Sequence, residues 1–248
     1  MADRDNLPTQ DSSQGTSSPT EVEAFLRRVA AIPPTSSATG VRGRLMFAMD
    51  ATASREPTWD RACHIQSEMF EVTSALGGLD IQLVYYRGFR ECQASPWLSS
   101  SAELLRRMSG VRCMAGQTQI GRVLSHCVKE TKRQKVNALV FVGDCMEEEL
   151  DRLAHLGGEL GLLGVPAFMF QERGDAVARR AFQEIARLTG GAYCRFDSSS
   201  AQQLKDLLSA VAVYAAGGRP ALENFSRGRG TEAIQQLTYQ VGHRQTGT

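Results

Sequence analysis

Three residues in the stretch GRLMFAMDATASREPTW (43–59) are spaced so that they could hold a cation: Asp50, Thr52 and Ser54. An apolar run leads into them, and residues two apart share a side of an extended chain, so one carboxylate and two hydroxyls can face one point. Ala51 and Ala53 leave that loop uncrowded. AGQTQIG (115–121) presents Thr118 ahead of a helix-like segment, and VFVGD (140–144) ends a second apolar run in Asp144. Together these are two carboxylates and three alcohols, with no imidazole or thiolate in the set. Such hard oxygen donors suit Mg²⁺ first and Mn²⁺ or Ca²⁺ next, rather than zinc or copper. Two aspartates about balance a divalent charge, leaving the ion open to one further anionic ligand. The expected site is a shallow cup at the rim of a sheet.

The elements that must position these groups alternate along the chain. Strand-like runs are RLMFAMD (44–50), DIQLVYY (80–86), NALVFVGD (137–144), PAFMFQE (166–172) and AYCRFD (192–197). Helix-like segments lie near 58–76, 101–109, 119–134, 147–163, 176–188 and 200–216; in the fifth, Val177, Ala181, Phe182, Ile185 and Leu188 form one stripe at helical spacing. Continuous apolar strands alternating with helices predict an α/β fold, doubly wound, with a mostly parallel central sheet covered on both faces. The segment GFRECQASPWLSS (88–100) predicts a short edge strand. In such a sheet ligands bind beyond the carboxyl ends of the strands, where Asp50 and Asp144 stand.

Composition bounds the rest. The 248 residues are 42% hydrophobic and 22% charged with a net charge of +1, which suggests neither a nucleic-acid nor a membrane partner. No stretch resembles a signal peptide or a bilayer span, and the six cysteines are dispersed without a C-x-x-C pair, so a cytoplasmic, disulfide-free protein is expected. Residues 1–19 are polar and predicted disordered. Residues 20–40 hold a short helix, capped by Ser18 and stopped by Pro33 and Pro34, and a linker. One domain fills 41–217. The polar, Gly-rich segment 218–248 is expected to be mostly mobile, with a weak amphipathic helix near Ile234, Leu237 and Val241.

On these residues the chain resembles the von Willebrand factor type A (VWA) domain, a Rossmann-like fold. Its metal-ion-dependent adhesion site (MIDAS) has the pattern Asp-x-Ser-x-Ser after the first strand, a threonine in a Gly-rich loop, and an aspartate ending the fourth strand. DATAS, AGQTQIG and VFVGD correspond, and ARLTGGAYCRF (186–196) is similar to a segment before the family's last strand. The resemblance covers about residues 41–216. Thr52 departs from the usual first serine and keeps the hydroxyl; Gln117 stands where glycine often precedes the threonine. The resemblance implies a metal site of Asp50, Thr52, Ser54, Thr118 and Asp144, and a non-enzymatic protein-interaction module whose ion takes a partner's Asp or Glu carboxylate.

Other chemistries compete. Haloacid dehalogenase-like phosphatases also place an aspartate after a first strand and a Gly-Asp after a later one, around Mg²⁺, but they use a second acid where this chain has Thr52. A VWA scaffold that keeps no metal is the third reading. MEEELD (146–151) reads as glutamates complementing the dipole of their own helix, with an acidic rim as the alternative. Cys145 follows Asp144 near a helix start, a place where thiol pKa values can fall. Cys63–His64 and His126–Cys127 sit on helix-like segments, where adjacent residues do not face one point. Cys127 and Arg133 have thiol-phosphatase spacing but lie within a helix, and SRGRG (226–230) is thin grounds for RNA binding.

Overall fold

The computed structural model describes residues 42–56, 59, 78–196 and 201–228. Six strands form one sheet: β1 (Gly43–Asp50), β2 (Leu79–Arg87), β3 (Glu91–Ala94), β4 (Ala138–Gly143), β5 (Ala167–Glu172) and β6 (Ala192–Phe196), in the order β3-β2-β1-β4-β5-β6. Every pairing is parallel except that of β3, which returns antiparallel along the edge of β2. The helices are α1 (Ser101–Ser109), α2 (Ile120–Arg133), α3 (Leu150–Leu162), α4 (Ala176–Leu188) and α5 (Ala201–Gly228). This is the doubly wound α/β architecture expected from the alternation of apolar strands and helices.

The continuous apolar runs are explained by burial on both faces. All residues of β1, β4 and β5 are buried. Leu45, Phe47 and Met49 point to one side and pack with α1 and α5; Met46 and Ala48 point to the other and pack with α2, α3 and α4. Asp50 continues the second set, so the strand's period of two aims its carboxylate at the α2 side. The chain runs from β1 outward to β2 and β3, then crosses back to β4 on the opposite flank of β1. A switch in direction of this kind opens a crevice between the carboxyl ends of β1 and β4.

The last helix extends past the sequence expectation of residue 216. Gly218 takes a left-handed backbone (φ 67°) that breaks the helix axis, and the helix resumes with Pro220 near its new start. Ala221 and Leu222 beyond the break are buried in the α5-side core, so the packed unit reaches further than 217. The expected N-terminal helix, the helix at 58–76 and the tail helix near 234–241 lie outside the described residues, as do Cys63 and His64. No helix among the described residues is long and apolar enough to cross a membrane, and none of the described cysteines forms a disulfide.

Gly43 marks where α5 rests on the sheet. A Cβ there would lie 2.3 Å from the Ala215 carbonyl oxygen and 2.5 Å from Ala216 Cα, both backbone atoms that cannot swing aside. Gly43→Ala is therefore expected to lift α5 from β1 and cost about 1–3 kcal/mol. A lower urea midpoint with an unchanged slope would show it.

Candidate metal centre

The loop after β1 is built around its first carboxylate. Asp50 Oδ1 accepts the Thr52 amide at 2.7 Å, which turns the chain back at once. The Arg55 amide then closes a single 3-10 turn onto the Thr52 carbonyl (2.9 Å). That turn, rather than an extended backbone, brings the two alcohols together: Thr52 Oγ1 and Ser54 Oγ are 3.2 Å apart. Ser54 Oγ donates to Asp144 Oδ2 across the crevice at 2.8 Å. Asp50, Thr52, Ser54 and Asp144 thus form one polar chain between the ends of β1 and β4.

Thr118 reaches this group indirectly. Its Oγ1 accepts the Glu147 amide (3.0 Å) and its own amide donates to Glu147 Oε2 (3.1 Å), tying its loop to the segment that follows Asp144. The far side of the loop is pinned to the β2–β3 turn, where the Gln117 amide and Gln119 Nε2 donate to the Gly88 carbonyl. A Cβ on Gly116 would fall 2.0 Å from that same oxygen. The glycine the backbone needs is therefore at 116, and Gln117 is accommodated.

The cup is deeper than the rim site expected from the sequence. Asp50 is 0% exposed and Asp144 4%; Thr52 and Thr118 are also buried, and Ser54 alone is open. Burial raises the Asp50 pKa, opposed by the hydrogen bonds from Thr52 and reinforced by the Asp144 charge. Asp50 Oδ2 and Asp144 Oδ1 are buried without hydrogen-bond partners. Buried unpaired acceptors are costly unless something positive meets them. The donor chemistry and these orphaned oxygens fit a bound cation.

Three further residues border the crevice, of which the sequence singles out Cys145 alone. Tyr86 is the register partner of Asp50 on β2. Its hydroxyl is buried beside the Asp50 carboxylate, and burial together with the Asp50 charge pushes its pKa well up; strand register is the signal that points to it. Cys145 Sγ lies with an oxygen of Asp50 and one of Asp144, all within 4.8 Å of one another. Burial and the two carboxylates raise this thiol to about 12, the reverse of the lowering a helix start suggests. Arg173, just past β5, has a left-handed backbone (φ 65°). Its guanidinium lies 3.3 Å from Asp144 Oδ2 and donates to the Ser54 carbonyl at 2.8 Å.

One glutamate after Asp144 serves another helix than expected, while Glu149 and Asp151 stand at the start of their own helix α3. Glu148 accepts the Ile120 amide at 2.5 Å and the Gly121 amide at 2.9 Å, so it caps the start of α2. His126 Nε2 pairs with Gln82 Oε1 (3.0 Å), while Cys127 is fully buried and its thiol is raised to about 12 by burial. Neither joins the crevice.

No protein-family model matches the sequence, and no curated protein matches it. Solved structures do match in fold. The SpRpn10 VWA domain is 14% identical with a TM-score of 0.55, over 72% of this chain and 98% of that one. Proximal thread matrix protein 1 from the mussel byssus, with a zinc-occupied MIDAS motif, is 14% identical with a TM-score of 0.52, over 70% of this chain and 46% of that one. The pilus adhesin SpaC from Lactobacillus rhamnosus GG is 10% identical with a TM-score of 0.54, over 78% and 31%. The fold is that of VWA domains.

Two outcomes follow from this geometry. Arg173 is a tethered positive charge on Asp144, and its side chain is 59% exposed and free to leave. Arg173→Ala should tighten divalent-cation binding several-fold in a calorimetric titration. In the metal-free protein, an Asp50 pKa raised by burial means that the folded state holds this proton more tightly than the unfolded chain does. Stability from this group is greatest below the usual carboxylate range and declines as pH rises through it. Asp50→Asn should fold and, in urea unfolding of chelated protein at several pH values, show a smaller decline.

Proposed function

We propose that this chain is a non-enzymatic protein-interaction module that holds a divalent cation through Asp50, Thr52, Ser54, Thr118 and Asp144 and captures a carboxylate of a protein partner there. The observation that carries the reading is the pair of buried, unpartnered oxygens, Asp50 Oδ2 and Asp144 Oδ1, at the mouth of the crevice between β1 and β4. A divalent cation bound there would supply compensating charge and an open coordination position. Asp50 and Asp144 balance that charge. Thr52 and Ser54 add neutral oxygens from a turn that Asp50 itself organises, and Thr118 closes the third side through a loop clamped by Glu147.

The surface beside Thr118 favours an acidic partner. A cavity of about 370 Å³ is lined by Phe89, Arg90, Thr118, Gln119, Arg122, Glu148 and Arg152. Glu148 is occupied with the start of α2, while Arg122 Nη1 holds the Arg90 carbonyl and Gln119. The three arginines therefore outweigh the one acid, and Phe89, 72% exposed, offers an apolar contact at the edge. A partner segment with one carboxylate on the ion and others against these guanidiniums matches this charge pattern.

The test is capture of partner by immobilised protein with Mg²⁺ or Mn²⁺, with and without chelator. Capture should vanish on chelation and in Asp50→Ala, which should keep its far-ultraviolet circular dichroism; saturating cation at about 100 times Kd should add about 2.7 kcal/mol of stability to the wild type alone. Capture indifferent to chelator would overturn the reading. So would Mg²⁺-dependent turnover of an aryl phosphate that disappears in Asp50→Asn.

A further inference from the structure

We infer that Cys145 completes the crevice as a sulfur donor and shifts the preference of the site from Mg²⁺ toward zinc-class ions. This rests on the cation reading above and deepens it by naming the class of ion. The thiol Sγ and one oxygen from each of Asp50 and Asp144 lie within 4.8 Å of one another. Asp50 and Asp144 are fully and almost fully buried, and each aims an unpartnered oxygen into the crevice. Around a tetrahedral zinc ion, oxygens at about 2.0–2.2 Å and a sulfur at about 2.3 Å stand about 3.4–3.7 Å apart, so a contraction of up to about 1 Å from the present spacing closes the set.

The chemistry follows from the donors. Oxygen ligands alone favour hard cations, and a thiolate added to them favours zinc and its neighbours over magnesium. As the metal–sulfur bond forms, the thiol proton passes to solvent. Thr52 and Ser54 stay available as neutral oxygens from the same turn. Cys145 is half-buried at the start of the loop after β4, so its sulfur can reach the crevice while the strand stays in register.

Co²⁺ is the probe, because it reports coordination in the visible and thiolate ligation in the near ultraviolet. Wild type, Cys145→Ser, Cys145→Ala and Asp50→Asn are titrated with Co²⁺, then competed with Zn²⁺ and Mg²⁺, with circular dichroism to confirm that each variant folds. The expected wild-type result is a thiolate-to-cobalt charge-transfer band together with visible bands. Both cysteine variants should lose the charge-transfer band, keep the visible bands and bind Zn²⁺ about tenfold more weakly, with Mg²⁺ binding little changed. Asp50→Asn should lose both signals. Visible bands without charge transfer in the wild type would overturn the sulfur donor and leave the oxygen site standing, as would a charge-transfer band that survives loss of Cys145. Absence of any Co²⁺ signal, and of any Zn²⁺ or Mg²⁺ binding, would overturn both readings.

Discussion

Two buried carboxylates stand close together where β1 and β4 end, and the local structure around them is arranged by that fact. Asp50 and Asp144 end neighbouring parallel strands, so the sheet itself holds them close, and neither can retreat to water. Each is half-satisfied. Asp50 has the Thr52 amide, and Asp144 has the Ser54 hydroxyl and the Arg173 guanidinium. The second oxygen of each is unmet. Arg55, the last residue of the same turn, is buried and paired with Glu172, and its charge lowers the Asp50 pKa against the effect of burial. Desolvated like charges are expensive to keep, and the Arg173 guanidinium on Asp144 and the Arg55 charge near Asp50 offset part of that cost.

The surrounding loops act as a clamp rather than as separate arms. The segment after Asp144 holds the Thr118 loop through Glu147 and caps α2 through Glu148. The β2–β3 turn holds the same loop from behind through the Gly88 carbonyl. A shift of the Asp144 segment must therefore be felt at Thr118 and at the start of α2. The cavity lined by Arg90, Arg122 and Arg152 borders this clamp, so a partner seated there would touch the groups that set the position of the third loop.

Much of this was legible in the residues. The apolar runs ending in Asp50 and Asp144 identify strands that cross a sheet and stop at its carboxyl edge, and the helical stripe of Phe182 and Ile185 identifies a covering layer. The positions of the candidate donors on three loops follow from the same pattern. Less legible was what surrounds them. MEEELD reads as a helix dipole partner because local spacing cannot reveal that α2 starts alongside; the carboxylate of Glu148 goes to the nearer set of free amides. The depth of the site was also hidden, since burial depends on packing between segments distant along the chain.

The sequence by itself determined the α/β layering, because the burial of a continuous apolar run is a local property of composition and period. It also placed Asp50, Thr52, Ser54 and Asp144 where strands give way to loops, and Thr118 just ahead of a helix. Only the tertiary structure decided which groups from distant segments converge. Strand register set Tyr86 beside Asp50, the turn after β4 brought the Cys145 thiol toward Asp50 as well as toward its neighbour Asp144, and a left-handed backbone at Arg173 laid a guanidinium against Asp144. These are long-range juxtapositions, set by packing across the sheet, and no spacing along the chain encodes them.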